Sequence, residues 1–268
     1  MRNQPFIKHG KHPLLVCSLT DTTPIDLHAT IRNAIYDGAD GFLLHLERLL
    51  PKYRNRESLA KIFSFMQGLP VMTLNYAYDG QTTAAEMMAL QLIAIEAGAS
   101  CIDLPADIYA ESKGYYSEQP EAVKMQMDLI RDVHERGGQV LCSYHQFHSY
   151  NPSDVMVERA KHMAARGADI VKIAMHIECE DQFPDAIKTT IRLNRELEKP
   201  FLHILFGGLG KSHRALAPVL GSCMVLCVQQ YTAAGHKDKP LLRATRDLYN
   251  NLDFEIAFNS KSDNKTAE

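Results

Sequence analysis

Lys172 stands in the middle of the apolar run Ala168-Asp169-Ile170-Val171-Lys172-Ile173-Ala174-Met175. A lysine inside a β-type run is unusual, because an ammonium is seldom buried without a partner. Desolvation disfavours the charged form and lowers the amine's pKa, so a buried lysine can supply a neutral nucleophile near neutral pH. Such an amine condenses with ketones and aldehydes to a Schiff base. The same residue can instead be a snorkelling side chain whose stem packs while its head meets solvent, and this run alone leaves both readings open. His145 ends the preceding run, Gln139–His145. Period-two alternation puts Ser143 and His145 on one face, and Lys172, Ala174 and His176 on one face of the next run. If both faces point inward, an acid/base stands beside an imine-forming nucleophile, and titratable clusters of this kind mark sites.

A third group lies in Gly207-Gly208-Leu209-Gly210-Lys211-Ser212-His213-Arg214. Gly210-Lys211-Ser212 resembles the end of a phosphate loop, but that motif needs a glycine where this chain has Leu205. A glycine-rich turn entering a helix is nevertheless an anion site, and Arg214 adds a bidentate donor for a carboxylate. Ser18, His45, Glu47, Asn75, Asp79, Asp103, His176, Thr232 and His236 are the other polar residues at the ends of apolar runs. His45, Glu47, Asp103, His176 and His236 could make a metal-dependent lyase or isomerase. No short motif such as His-x-His joins them, so neither a metal nor an organic cofactor is expected.

These residues need a scaffold that brings them together. Short apolar runs recur at intervals of roughly 30 residues, the length of a strand–helix unit. They are Leu14–Leu19, Gly41–Leu46, Pro70–Asn75, Cys101–Leu104, Gln139–His145, Ile170–His176, Pro200–Phe206 and Ser222–Val228. Several are almost continuously apolar, as strands buried on both faces of a parallel sheet should be. Helical periodicity fills the gaps, as in Thr82–Gly98, Glu121–Gly137, Ser153–Gly167 and Asp181–Glu198. Gly38-Ala39-Asp40, Gly98-Ala99-Ser100 and Gly167-Ala168-Asp169 repeat at equivalent helix-to-strand junctions. Eight such units in 268 residues indicate an α/β fold of the single-domain (β/α)8 barrel type, which needs roughly 250 residues. A doubly wound open sheet would carry a glycine-rich turn after the first strand, where this chain has Thr20-Asp21-Thr22-Thr23-Pro24. The barrel is expected over residues 1–258, with the polar stretch 259–268 a disordered tail. Barrel sites form at the C-terminal strand ends, where the polar residues named above collect.

The formal net charge of −3 gives no electrostatic case for nucleic acid or an anionic membrane surface. No apolar run approaches the ~20 residues of a membrane span. The N-terminal residues lack the apolar core of a secretory signal, and the six cysteines show no redox or metal spacing. The expectation is a cytoplasmic protein with reduced thiols and a small-molecule substrate.

Taken together these residues resemble type I 3-dehydroquinate dehydratase, the Schiff-base enzyme of the shikimate pathway. The resemblance runs from about Leu14 to Asp253. It is strongest in Ser143-Tyr144-His145-Gln146-Phe147, in Gly167–Ala174, and in the Gly207–Arg214 loop followed by Gly221-Ser222. It implies acid/base work for His145, the imine for Lys172 and the substrate carboxylate for Arg214. It also aligns Thr73-x-Asn75-x-x-x-Asp79-Gly80 with a motif in which arginine and glutamate stand at the third and seventh positions. Asp79 then takes the place of the glutamate that supports the histidine, and Asn75 that of a substrate-binding arginine. Ser18 fits the pattern; Thr232 to His236 replaces the family's Ser-Ala-Pro-Gly-Gln lid. On strand 2 the family's Glu, Arg and Asp are Leu43, His45 and Glu47 here, so the end that recognises ring hydroxyls is rewritten. The resemblance implies a Schiff-base-forming dehydratase acting on a 3-oxo hydroxy-carboxylate such as 3-dehydroquinate, and a homodimer. A class I aldolase or other Schiff-base lyase on the same barrel is the alternative, and a non-catalytic carboxylate-binding relative a further one.

Overall fold

The structure is a computed structural model that describes residues 5–7, 13–77, 79–112, 114–232 and 237–254. Strands and helices alternate along the chain. They are β1 (Leu14–Leu19), α1 (Pro24–Tyr36), β2 (Gly41–His45), α2 (Arg56–Ser64), β3 (Val71–Leu74), α3 (Ala84–Ala97), β4 (Cys101–Pro105) and α4 (Pro120–Glu135). There follow β5 (Gln139–Gln146), α5 (Ser153–Ala165), β6 (Ile170–His176), α6 (Phe183–Glu196), β7 (Phe201–Phe206), α7 (Gly210–Leu216), β8 (Met224–Cys227) and α8 (Leu242–Tyr249). All paired strands are parallel, in the order β7-β6-β5-β4-β3-β2-β1-β8. The ring is drawn together between β7 and β8 where the Cys223 N–H donates to Phe201 O at 2.8 Å. This is the expected (β/α)8 barrel. The segment 259–268, expected as a tail, lies outside the described residues.

Alternation sorts each strand between two cores. Val16, Leu43, Met72, Leu74, Cys101, Leu141, Ile170, Ala174, Leu202, Ile204, Met224 and Leu226 fill the barrel, and Phe6 closes its lower end. The Gln139 side chain holds that plug by accepting from the Phe6 and Ile7 N–H groups at 2.7 and 3.2 Å. The opposite faces pack on the helices, with Cys17, Phe42, Ile102 and Val225 in one outer cluster and Tyr144, Val171 and Leu205 in another. Burial on both faces explains why these strands read as unbroken apolar runs.

The repeated Gly-Ala-Asp/Ser tripeptides are joints. After Gly98, at a φ of 116°, the chain leaves α3 in the left-handed conformation that favours glycine. The third residue of each tripeptide then grips the base of the preceding strand. Asp40 Oδ2 accepts from the Leu15 N–H at 2.9 Å, Ser100 Oγ from Val71 at 3.4 Å, and Asp169 Oδ2 from Val140 at 2.8 Å. The N–H groups of Asp40, Ser100 and Asp169 donate back to Leu15, Val71 and Val140 carbonyls. At the fourth position Ser222 Oγ accepts from the His203 N–H at 3.3 Å. Each joint fixes the register of one strand pair.

The alternation of β7 leaves open from sequence whether His203 or Phe206 faces inward. Phe206 packs with the barrel core, and His203 points out to the helices. There Thr190 Oγ1 lies 2.9 Å from His203 Nδ1 and 3.1 Å from His213 Nε2. Burial pushes His203 down to about 3 and His213, beside Arg214, down to about 2, so both rings are neutral. An unfolded histidine binds a proton near pH 6.5, which these two resist in the folded state. Between those values the unfolded chain holds more protons, so stability falls as pH drops below about 6.5. Unfolding free energies from urea titrations between about pH 7 and about pH 4 should fall by up to about 1.4 kcal/mol per pH unit for each such histidine. His203→Asn should remove its share of the slope; an unchanged slope would contradict the assignment.

Candidate active site

Above the apolar layers the barrel interior turns polar. Ser18 continues the inward face of β1, His45 that of β2, Asp103 that of β4, Ser143 and His145 that of β5, and Lys172 that of β6. Ser143 pairs in register with Lys172, and His145 with Ala174 one step higher. Lys172 and His145 thus rise from adjacent strands on one face. Both are buried.

Lys172 neither snorkels nor lies bare. Its Nζ donates to Asp103 Oδ2 at 2.9 Å, with the two side chains 6% and 0% exposed. The sequence offers Asp103 at a strand end only as one of several dispersed metal-ligand candidates; the structure makes it the lysine's partner, from the strand on the far side of β5. Asp103 Oδ1 has no hydrogen-bond partner among the described residues. The strand that carries it is braced from outside. Gln91 of α3 donates from Nε2 to Asp103 O at 3.0 Å and to Thr73 O at 3.3 Å, and accepts from Thr73 Oγ1 at 2.5 Å.

His145 is a neutral imidazole. Burial and then the Lys172 charge hold its pKa well below the ordinary histidine value. Its ring stacks on Phe147 at a centroid distance of 5.5 Å and meets the Tyr76 ring edge-on at 5.3 Å. Phe147 in turn stacks on Phe206 at 5.5 Å. The Tyr76 ring lies 5.7 Å from Lys172 Nζ, and its hydroxyl is 3.0 Å from Ser143 Oγ. Aromatic walls therefore surround the amine and the imidazole.

Strand 3 departs from the sequence expectation. Asn75 turns outward and donates from Nδ2 to Met87 O of α3 at 3.1 Å, which follows from Thr73 sharing that outward face. Tyr76, the next residue, takes the inward place. Asp79 does not support His145. It is exposed, and its carboxylate accepts from the Gln81 and Thr82 N–H groups and the Thr82 hydroxyl at 2.9, 2.7 and 2.9 Å. An aspartate is one methylene shorter than the family's glutamate, and this one caps its own turn. These bonds hold its carboxyl below the usual range.

His45 and Glu47 are brought together, Nδ1 to Oε1 at 3.0 Å, and Glu47 Oε2 lies 3.5 Å from the Tyr76 N–H. Burial lowers the pKa of His45 although Glu47 opposes the shift. Ser18 Oγ accepts from Lys239 Nζ at 3.0 Å. Lys239 was not anticipated, because it lies in a loop where no periodicity assigns a direction; only Pro240, which restricts the preceding residue to extended backbone, marks the position. Arg214 is buried in α7, and its Nη2 donates to Asp238 Oδ2 at 2.5 Å. The turn before it is drawn onto β7: a Cβ at Gly210 would sit 2.7 Å from Leu205 O. His176 is half-buried at the top of β6, Thr232 is exposed, and His236 lies outside the described residues. Among the described residues no three His, Cys, Asp or Glu side chains are placed to hold a metal ion, and no helix is long and apolar enough to cross a membrane.

The architecture has known counterparts. A family model described as type I 3-dehydroquinase matches residues 16–250. A 3-dehydroquinate dehydratase of Neisseria meningitidis is 28% identical over 123 residues, covering 46% of this chain and 48% of that protein. One from Aromatoleum aromaticum is 25% identical over 118 residues, 44% of each chain. The chain thus spans about half the length of the curated relatives it matches. Among solved structures, 3-dehydroquinate dehydratase from Geobacillus kaustophilus superposes with a TM-score of 0.76 at 15% identity, covering 90% of this chain and 91% of that one. A type I 3-dehydroquinate dehydratase from Clostridium difficile with covalently modified comenic acid gives 0.76 at 15% identity, covering 93% and 94%.

The Lys172–Asp103 pair lends itself to a direct test. Removing one partner of a buried pair strands the other charge and costs about 3–5 kcal/mol, whereas replacing both by apolar groups is often neutral. Asp103→Ala should lose stability of that order in urea unfolding, and Asp103→Leu with Lys172→Met should recover most of it. A loss in the double variant equal to the sum of the Asp103→Leu and Lys172→Met losses would mean that the pair is not coupled.

Proposed function

Because this chain belongs to the type I 3-dehydroquinase family, we propose that it is a Schiff-base dehydratase that removes water from a cyclic 3-oxo hydroxy-carboxylate, 3-dehydroquinate being the first candidate. One observation carries the reading: a buried lysine with a carboxylate at 2.9 Å and a neutral buried imidazole on the neighbouring strand. Asp103 accepts a proton from the Lys172 ammonium, and the freed amine adds to the substrate ketone. Loss of water from the carbinolamine gives a protonated imine. That cation draws electrons from the adjacent carbon, and His145 removes its proton to leave an enamine. The imidazolium then protonates the β-hydroxyl, which departs as water. A second water hydrolyses the conjugated imine, releasing the enone and restoring the amine.

Two features support the division of labour. A base must be unprotonated when the imine forms, and burial keeps His145 so at neutral pH. Its proximity to Lys172 also matters in sequence. The positive charge at the lysine nitrogen disappears as the enamine forms, which is the moment the imidazole takes up its proton. Total charge in the pocket is unchanged, so little reorganisation accompanies the step.

The rest of the pocket bears on substrate choice. His45 with Glu47, Tyr76 with Ser143, and Ser18 are the polar groups available to ring hydroxyls. Charged groups are fewer there than the family pattern provides, so a substrate with fewer or differently placed hydroxyls is compatible with it.

Borohydride added to the protein with 3-dehydroquinate, or with another cyclic 3-oxo hydroxy-acid from a panel, should leave a covalent adduct that peptide mass mapping places on Lys172. Lys172→Met should give none. Ultraviolet absorbance should report an enone; a carbon–carbon cleavage product would overturn dehydration, and no adduct with any member of the panel would overturn the imine. His145→Gln should slow turnover by about 10²–10⁴-fold while still forming the adduct. In the wild type the acid limb of kcat/KM should lie well below pH 6.5, the side to which burial and Lys172 displace His145. An acid limb above that pH would contradict His145 as the base.

A further inference from the structure

Imine formation at Lys172 has to move protons as well as electrons. An ammonium has three N–H protons and a protonated imine keeps one, so two must pass from nitrogen to the ketone oxygen, which departs as water. Asp103, at 2.9 Å from Lys172 Nζ, takes the first. Asp103 pairs in register with Leu141 of β5, whereas Lys172 pairs with Ser143, one inward step nearer the mouth. The carboxylate therefore lies on the floor side of the amine, and a substrate entering by the mouth presents its ketone from the other side. His145 stands on that upper side, but burial holds it neutral, and a neutral imidazole is a base and a poor acid.

Two hydroxyls occupy the upper side. Tyr76 Oη lies 3.0 Å from Ser143 Oγ. The Tyr76 ring centroid is 5.7 Å from Lys172 Nζ and 5.3 Å from the centroid of the His145 ring, which it meets edge-on. Tyr76 faces inward by the parity of Met72 and Leu74 on the same strand. Ser143 is buried on β5, between the strands that carry Asp103 and Lys172. A phenol is a stronger acid than an aliphatic alcohol, so Tyr76 donates and Ser143 accepts, and the serine keeps its own O–H for a partner beside the amine.

We propose that Tyr76 and Ser143 form a proton relay to the ketone oxygen during imine formation at Lys172, with Ser143 touching that oxygen and Tyr76 recharging the serine. The inference rests on the imine chemistry of the preceding section and supplies the proton donor for its first stage. As the Lys172 lone pair forms the C–N bond, the carbonyl π electrons move to oxygen. That oxygen takes the Ser143 proton, and Ser143 takes the proton of Tyr76. The transient phenolate faces a cationic nitrogen, so the total charge of the pocket does not change. The nitrogen then returns one proton to the phenolate through the same hydroxyls, leaving a neutral carbinolamine. In the second half its lone pair forms the C–N double bond as the C–O bond breaks, and the departing hydroxide takes the next Ser143 proton and leaves as water. The proton that Asp103 took at the start refills the pair. Two protons have left nitrogen, two have joined oxygen, and no outside acid is consumed.

Pentane-2,4-dione tests the relay without the natural substrate, because its condensation with an amine gives a stable, ultraviolet-absorbing enaminone. The wild type should form one that peptide mass mapping places on Lys172. Tyr76→Phe keeps the ring and removes only its hydroxyl, and Ser143→Ala removes the other. Each should slow enaminone formation at least about tenfold, within what a positioned proton donor contributes. The double variant should be no slower than the slower single variant, because the two hydroxyls act in series. Alkylation of Lys172 by iodoacetamide displaces iodide at carbon and needs no oxygen protonated, so its rate should stay within about threefold of wild type in all three variants. A loss of condensation rate below tenfold in either single variant overturns the relay. So does a double variant whose loss is the product of the single losses, and so does alkylation that slows as much as condensation, which would make the hydroxyls mere supports for the amine. An enaminone on wild-type Lys172 with any of these three results leaves the imine standing and removes the relay alone. No enaminone in the wild type would remove the imine, and the relay with it.

Discussion

A lysine and an aspartate that meet inside a barrel, from the strands on either side of β5, are the constraint on which this molecule depends. Each charge alone would be expelled from such a place, and even as a pair they lose hydration that their attraction only partly returns. The fold tolerates the arrangement because it holds both strands rigidly. Asp103 is fixed from behind by Gln91, which ties β4 to β3 through α3, and Lys172 is fixed by the register of β6 on β5. Apolar layers below and aromatic rings beside the pair keep water from replacing either partner. The amine is thereby held with a carboxylate attached.

The same confinement governs the other charged groups. In a medium of low effective dielectric, each titratable group feels its neighbours strongly. His145 is kept neutral by burial and by the lysine charge, His45 is kept low despite its carboxylate partner, and Lys239 is the one buried cation at the mouth that the described protein leaves unmatched. Positive potential thus remains at the mouth of the barrel. The groups are separated by position: the amine, its carboxylate and the imidazole on the β4 to β6 side, and a buried ammonium beside Ser18 on the β8 to β1 side.

Much of this was legible in the sequence. Strands buried on both faces leave unbroken apolar runs, so all eight could be found, within two residues at either end. Parity within a run put Ser143 with His145, and Lys172 with Ala174 and His176, on shared faces, and Ile170 and Leu141 in the barrel core turn those faces inward; Ser18 and His45 were placed only by their positions at strand ends. Parity failed on strand 3, where a motif alignment chose Asn75 although Met72 and Leu74 set the inward frame and point to Tyr76. Asp79 failed for a different reason: in a loop, a short carboxylate with free amides two and three residues ahead caps its own turn. Asp103 could be seen but not paired, because partners on non-adjacent strands are distant in sequence. Lys239 lay in a loop and carried no directional signal at all.

The joints at the base of the barrel have one more implication. They link β1 to β2, β3 to β4 and β5 to β6 by the same side-chain grip, and β7 to β8 by a variant of it. The eightfold ring is therefore assembled as four quarter-barrels, each a clamped strand pair. Ser18 and His45 share one quarter, Asp103 belongs with the strand leading to Tyr76 in a second, and Ser143, His145 and Lys172 occupy a third. Chemistry and clamp sit at opposite ends of the same two strands, so the lower joint sets the relative height of the groups above. New chain ends opened between quarters, as by circular permutation before β3 or β5, would leave every clamp whole. A cut inside a quarter would let its two strands slide and carry their side chains out of step.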